Sequence, residues 1–257
     1  MPREFSLSLA AVDMVSQALR TSCRLFPFEI PSFGQFAEDR NRIAKAVFTD
    51  LSGRGLIRRG GLDPDVEAAL TVTGDHDVSI GMMGEIAANR PIRARAAAAG
   101  STGVLAVQEG QSVRFELISP ASLARSLVAL LPAEVAGPGQ SVQVTQPAPP
   151  PKRDDDQGFV QQVRAPRSTS DAQLRMAGAM LERPRKGFGF FTVAARGRHG
   201  RNIDAGTVGW IDTDAGRYLS LNRKDVDGGL RSTYSPADSA RLTQQLGELI
   251  EVAVRRG

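Results

Sequence analysis

The chain has 257 residues, of which 41% are hydrophobic and 23% are charged, and this composition is typical of a folded globular protein rather than a disordered one. Its 32 basic and 28 acidic residues give a formal net charge of only +4, which favours an ordinary solvated surface over a nucleic-acid footprint. The single cysteine, Cys23, excludes an intrachain disulfide and is typical of a reducing compartment. No apolar run reaches the roughly 18 residues of a membrane span, and we see no signal peptide, so we expect a cytoplasmic protein that does not enter a membrane.

The first half of the chain predicts a strand, three helices and then more strands. Phe5–Leu9 alternates as a strand does, and a short helix is predicted over 11–19. Apolar residues share one face of a helix over 38–51, and Asp63-Pro64 is a typical helix start. The segments that follow are predicted strands over 77–82, 104–107 and 113–118, and then a helix that opens with Ser119-Pro120-Ala121.

A proline-rich stretch divides the chain. Six prolines lie between Pro132 and Pro151, and the charged run Lys152–Asp156 follows them. Proline fixes φ and removes a hydrogen-bond donor, so this stretch predicts a semi-rigid, extended linker. We therefore predict an N-terminal half over 1–131, a linker over 132–157 and a C-terminal half over 158–257.

The second half repeats the order of the first. A helix is predicted over 171–181, strands over 188–195, 208–212 and 218–221, and a last helix opens with Ser235-Pro236-Ala237. Asn222–Tyr234 is extra and predicts a loop or an added pair of strands. If the echo is a duplication rather than a chance recurrence of Ser-Pro-Ala, it predicts an α+β fold. Strands of both halves would share one central sheet about a pseudo-two-fold axis, with helices at each end.

Motifs for catalysis and cofactor binding are absent from the sequence. No glycine loop leads into Gly-Lys-Ser/Thr, and no Gly-x-Ser-x-Gly is present. The one candidate metal site, Asp75-His76-Asp77, is more typical of an exposed turn, because adjacent side chains diverge. The sequence therefore predicts neither an enzyme nor a bound cofactor or metal.

One local match suggests a different function. Lys186–Val193 is similar to the RNP1 strand of RNA-recognition motifs, in which alternate aromatic residues stack on bases. Phe188 and Phe190 would share one face of that strand, but Gly158–Gln161 is a poor partner motif. We interpret the two phenylalanines as strand residues that face a helix layer, and an RNA-binding module over 186–193 stays as the alternative function.

Taken together, the order and spacing of several stretches resemble the EspG family, cytosolic chaperones of type VII (ESX) secretion in actinobacteria. The last hairpin, Asp212–Leu219, is the most specific of these stretches. The others are Phe5–Leu9, Asp39–Val47, Asp50–Leu56, Leu62–Leu70, Gly103–Val107, Val128–Pro132 with Gly137–Gly139, Arg183–Gly189 and Ser235–Ala237 with Leu242.

The resemblance implies a fold and a function. The fold is a central, largely antiparallel β-sheet flanked by helical bundles, with a pseudo-two-fold from two similar halves. The function is to bind the apolar helical tip of the PPE subunit in PE–PPE heterodimers and keep the pair soluble for secretion, with the secretion machinery as a further partner. The resemblance implies no catalytic activity and no catalytic residues.

The resemblance also places the interface on one sheet face, a loop between central strands and the C-terminal helices. In this chain that loop would be Met83–Pro91, and its counterpart in the second half would be Arg196–Ile203. Methionine suits a surface that adapts to apolar partners, although Met82 and Met83 fit a core equally well. The predicted partner-binding residues are Met82, Met83, Ile86, Arg90, Arg201 and Ile203.

Overall fold

In a computed structural model, residues 4–58, 60–146, 171–197, 200, 202–224 and 229–256 are described. A ten-stranded antiparallel sheet forms the centre of this part of the chain, beside a small two-stranded sheet. The strands are β1 (Glu4–Ser8), β2 (Ile57–Arg58), β3 (Gly61–Leu62), β4 (Val78–Ala87), β5 (Arg90–Ala99), β6 (Thr102–Glu109), β7 (Ser112–Ile118), β8 (Val142–Gln146), β9 (Arg185–Arg196), β10 (Asn202–Thr213), β11 (Gly216–Lys224) and β12 (Leu230–Pro236).

Six α-helices lie in the described ranges. They are α1 (Leu9–Ala18), α2 (Ala37–Gly53), α3 (Pro64–Gly74), α4 (Leu123–Val128, after a 3-10 turn over Pro120–Ser122), α5 (Asp171–Leu181) and α6 (Ser239–Arg256). None of these helices is both long and apolar enough to cross a lipid bilayer.

The strand order of the large sheet repeats about its centre. The order is β1-β7-β6-β5-β4 in one half and β9-β10-β11-β12-β8 in the other, and β4 pairs antiparallel with β9. Each half therefore has an edge strand, helical structure, a four-stranded meander and a closing helix. This order confirms the predicted fold class and its pseudo-two-fold.

The helices cover the two faces of the sheet unequally. On one face, α4 and α6 pack over the central strands, and buried residues such as Met82, Phe191 and Trp210 lie beneath them. On the opposite face, α1, α2 and α3 cover the strands of the first half. A small cluster around Tyr218 and Met180 packs α5 at the far end of that face. We call the first face the covered face.

The hairpin between β10 and β11 includes Asp212–Leu219, the most specific stretch of the sequence resemblance, and it contains a buried ion pair. Arg217 is wholly buried and binds the carboxylate of Asp212 in a bidentate pair, with Nε–Oδ1 at 2.5 Å and Nη2–Oδ2 at 2.9 Å. The same guanidinium donates to the carbonyl of Pro132 and approaches Ser239. A buried ion pair needs such additional partners, so this hairpin ties the connecting segment to α6.

The structure corrects several sequence expectations. β5 was missed, because Arg90–Ala99 is rich in alanine and arginine, which have little strand preference. Val142–Gln146, inside the predicted linker, is the edge strand β8, which pairs with β12. Residues 147–157 lie outside the described ranges, and the domain boundaries stay a prediction. The serines of the two predicted helix openings, Ser119 and Ser235, do not cap their helices. Ser119 makes no side-chain cap, and Asp238 rather than Ser235 accepts from the backbone N–H of Arg241 at 2.8 Å to begin α6.

Candidate functional site

An apolar surface lies on the face opposite the covered face, at the centre of the sheet. Met83 of β4 and Phe188 of β9 are 37% and 46% exposed, and Phe190 lies directly opposite Met83 in the strand register. Ile211 of β10 pairs with Phe188 and extends the surface across a third strand. No helix of the described ranges packs over these residues. We call this surface the open face.

Phe26 adds an aromatic ring to the open face from outside the sheet. It lies in the segment between α1 and α2 and is 44% exposed. Its ring stacks on Phe190, with centroids 5.8 Å apart and an interplanar angle of 16°. The ring fills the space above Gly81, where a Cβ would lie only 2.9 Å from Cδ1 of Phe26. The glycine therefore makes room for this ring.

A hollow of about 450 Å³ lies on the other side of Phe190. Its floor is Gly209, which pairs with Phe190 in the strand register. Phe188 and Ile211 give the hollow apolar walls, and its polar edge includes Arg185, Ser220 and Asn222. Clefts of this size, with apolar walls and a few polar groups, suit a protruding apolar side chain.

Trp210 supports the open face from below. Its ring is buried on the covered face and tilts against Phe191, with centroids 4.8 Å apart. A Cβ at Gly189 would lie 2.2 Å from Cη2 of Trp210, and one at Gly84 would lie 3.0 Å away. These two glycines allow the strands to accommodate the large ring, which holds β9 and β10 in place behind the open face.

Charged side chains of both signs border the open face, among them Glu85, the cross-strand neighbour of Phe188, and Arg185 at the hollow. Arg93 binds Glu29 at 2.6 Å on one side, and Lys186 binds Glu134 at 2.8 Å. Such exposed pairs contribute little to stability and are screened by salt. The centre of the surface is therefore apolar, and its polar surroundings do not select for an acidic or a basic partner.

The predicted partner-binding residues of the first half do not share one surface in the structure. Met82 is 0% exposed and packs in the core of the covered face, the alternative that the sequence had left open. Met83 faces the opposite way and belongs to the open face. Ile86 is largely buried in the same core as Met82, whereas Arg90 is exposed. The predicted loop over 83–91 is wrong, because β4 and β5 extend through it and leave only a two-residue turn at Ala88-Asn89.

The predicted residues of the second half do not lie near those of the first. Ile203 is half-buried in β10 opposite Ala195, whereas Glu85 pairs with Phe188 at the other end of β9. At about 3.3 Å per residue, these two ends of β9 are about 23 Å apart. Arg201 lies outside the described residues. The structure thus brings Met83 together with phenylalanines that the sequence prediction did not include.

The residues that the sequence prediction missed did leave a signal in the sequence. Phe188 and Phe190 alternate in an RNP1-like stretch, and the interpretation that both face a helix layer is wrong, because Phe188 is exposed and Phe190 is stacked by Phe26. Phe191 is the residue that faces α6. The ten-stranded sheet differs from the four-stranded sheet of an RNA-recognition motif, so the fold gives no support to RNA binding.

Outside the open face, the described residues form no catalytic arrangement that we can recognise. A polar cavity of about 450 Å³ between α1 and the following segment contains Asp13, which is already paired with Arg24 and Arg40. Burial raises the pKa of the Cys23 thiol in the wall of this cavity, which disfavours a nucleophilic thiolate. No group of three or more potential metal ligands is present in the described ranges.

Comparisons with known proteins agree with this architecture. No curated protein sequence matches the chain. Among solved structures, the chain resembles one in the structure of the Mycobacterium tuberculosis type VII secretion system chaperone EspG5 in complex with the PE25-PPE41 dimer. The identity is 13% and the TM-score 0.60, over 98% of this chain and 95% of that chain, which shows a shared fold. The model of the EspG family matches residues 8–248. The chain described here therefore belongs to the EspG family.

Proposed function

We propose that this protein is a cytoplasmic chaperone of type VII secretion that binds the PPE subunit of a PE–PPE heterodimer. It covers the apolar helical tip of that subunit and keeps the pair soluble until the secretion machinery takes it over. Membership of the family supports the class of partner, because a solved relative of the same fold is held in complex with a PE–PPE dimer. The open face supports the mode of binding.

The single observation that carries the mode of binding is an apolar surface at the centre of the sheet over which none of the described helices packs. Large exposed side chains that cluster together mark interaction sites, whereas scattered ones need no explanation. Met83 and Phe188 lie at the centre of this cluster, on rigid paired strands. A stable interface buries about 1,200–2,000 Å² in total, so the partner must also reach beyond these strands.

The proposed action is binding without chemistry. The centre of the open face is apolar, and of its charged neighbours Arg93 and Lys186 are engaged in ion pairs. An apolar helix tip that docks here removes its own hydrophobic surface from water together with that of the chaperone. This accounts for protection of the partner from aggregation without a catalytic residue or a cofactor.

Co-expression tests the proposal. Candidate PE–PPE pairs from the same genome are produced with and without the full chain, and one pair should be recovered as a soluble complex only in its presence. Replacing two apolar residues of the open face with glutamate (M83E/F188E) should weaken the recovered complex by more than tenfold, because both side chains lie centrally. F36E places glutamate at an exposed apolar residue at the start of α2, in the helical group of the first half, and should leave binding unchanged. Equal recovery of every pair without the chain would contradict the proposal.

A further inference from the structure

The position of Phe26 on the open face depends on an unusual buried cation. Arg95 of β5 is only 9% exposed and lies opposite Gly81, the glycine above which the Phe26 ring rests. Its Nη1 donates to the backbone carbonyl of Phe26 at 2.8 Å. Its Nη2 donates to Ser79 Oγ at 2.9 Å and lies 3.0 Å from Nε2 of His76. The guanidinium therefore connects the underlying strands to the backbone of Phe26.

Arg95 has no counter-ion among the residues that the structure describes. None of the ion pairs in those ranges includes it, its partners are neutral, and its Nε finds no acceptor. A buried charge without an opposite charge destabilises a fold, often by several kcal/mol. Burial accordingly lowers the pKa of Arg95 to about 10. An apolar residue of similar size at this position would avoid that cost.

The segment that carries Phe26 does not need Arg95 as a general anchor. Asp13 accepts from the backbone N–H of Phe33 and pairs with Arg24. Glu29 pairs with Arg93, and its backbone N–H donates to Oε1 of Gln108 at 2.9 Å. The contact of Arg95 falls on the one residue of the segment whose ring stacks within the open face.

We propose that Arg95 is a positioning residue that fixes Phe26 as an aromatic anchor for the partner. This inference rests on the function proposed above. The partner it fits is an apolar helix tip that packs against the Phe26–Phe190 stack. An aromatic side chain held in place before binding loses little conformational freedom when the partner docks, so the contact contributes more to affinity than a mobile ring would. The unpaired charge is retained for binding rather than for stability.

Replacing Arg95 with methionine in the full chain separates these two roles. With the PE–PPE pair that passes the co-expression test, R95M should raise Kd about tenfold, whereas its urea midpoint should equal or exceed that of the parent chain. F26A should weaken binding similarly, and the double variant R95M/F26A should bind no more weakly than F26A. The matched control is R114M, which removes an arginine of β7 that pairs with Glu4 and Glu109, three strands away from β4 in the sheet order, and it should change Kd less than twofold.

Hydrogen exchange supplies a measurement that does not need the partner. The backbone N–H groups of Phe28 and Glu29 bond to Leu25 O and Gln108 Oε1, and they should exchange faster in R95M while those of α6 stay unchanged. If R95M does not fold, R95Q takes its place, because its shorter side chain cannot keep both contacts of the guanidinium, and the same results are expected.

Three results would overturn the inference. The first is that R95M binds the partner with the Kd of the parent chain. The second is that the losses of affinity in R95M and F26A add together in the double variant. The third is that R95M has a lowered urea midpoint and faster hydrogen exchange throughout the chain. If no PE–PPE pair binds the parent chain, the proposed function fails by itself. The exchange measurement then still decides whether Arg95 holds Phe26: unchanged exchange at Phe28 and Glu29 overturns the positioning role.

Discussion

At the centre of β4 and β9, the two faces of the sheet carry the same pair of residue types, methionine and phenylalanine, in opposite surroundings. Met82 and Phe191 are paired across the strands and are wholly buried on the covered face. Met83 and Phe190, the next pair in the same register, lie on the open face. A sheet with one solvated face normally places polar residues on that face. Apolar residues on a face that no described helix covers fit the partner-binding surface proposed above.

The difference between the faces comes from the reach of the helices and not from the strands themselves. α6 contacts β4, β9 and β10 on the covered face, whereas α3 contacts β5, β6 and β7 on the other side. α5 packs against β8 at the far edge. The centre of the open face lies between these two helical groups, so the repeated half-sheet, with a helix group at each end, leaves the apolar strip between them.

The largest expected difference in stability between the two faces is that between substitutions of the adjacent residues Met82 and Met83. Met82→Ala should lower the free energy of unfolding by about 2–5 kcal/mol, because it opens a cavity in the core. Met83→Ala should change it by no more than about 0.5 kcal/mol, as is usual for surface positions, but should weaken binding of the PE–PPE pair. Urea unfolding followed by the fluorescence of Trp210, the single tryptophan, measures the first effect. Equal destabilisation by the two substitutions would show that both faces are core.

The adjacent methionines also show how far the sequence could be interpreted. Helices with strong apolar periodicity, such as α2, were predicted close to their observed bounds. The hairpin at 213–216 was predicted in the right place, but its strands β10 and β11 are longer than the predicted 208–212 and 218–221. Alternation could not decide between Met82 and Met83, because that depends on which face α6 (Ser239–Arg256), far along the chain, comes to cover. The role of Phe26 was equally hidden, since it depends on a stacking contact with Phe190 across the chain.

A smaller effect on stability is expected from pH, through His76, which contacts Arg95 beneath Phe26. Burial, and then the nearby charge of Arg95, lowers the pKa of His76 to about 4, from an ordinary value of 6.5, and Asp77 opposes this shift. The folded protein thus holds His76 neutral, while the unfolded chain binds a proton below about pH 6.5. Stability should therefore fall as the pH drops from 6.5 toward 4, by about 1 kcal/mol once partial exposure of the ring is taken into account.

Replacement of this histidine isolates its share of the acid sensitivity. Carboxylates elsewhere also lose stabilising pairs in acid, so the parent chain and H76N are compared by urea unfolding at pH 7 and pH 4.5. The drop between the two pH values should be smaller in H76N. An identical drop in both proteins would mean that His76 is solvated, and that the environment around Arg95 is more polar than the structure indicates.

The smallest effect tests whether Phe26 belongs to the open face at all. In Gly81→Ala, the new Cβ would lie 2.9 and 3.0 Å from Cδ1 and Cε1 of Phe26 and 3.1 Å from Oγ1 of Thr192, so the ring must move by a few tenths of an ångström. Loss of part of the stack on Phe190 should weaken binding of the PE–PPE pair by about 0.5–1 kcal/mol.

Gly247→Ala in α6, where a Cβ meets nothing within 4 Å, is the control and should leave binding unchanged. Replacing glycine with alanine within a strand stabilises the fold by about 0.5–1 kcal/mol, which offsets the loss of part of the stack. The free energy of unfolding should therefore hardly change in Gly81→Ala. A weaker complex at unchanged stability would place Phe26 among the partner-binding residues, and parental affinity would restrict the open face to the strands.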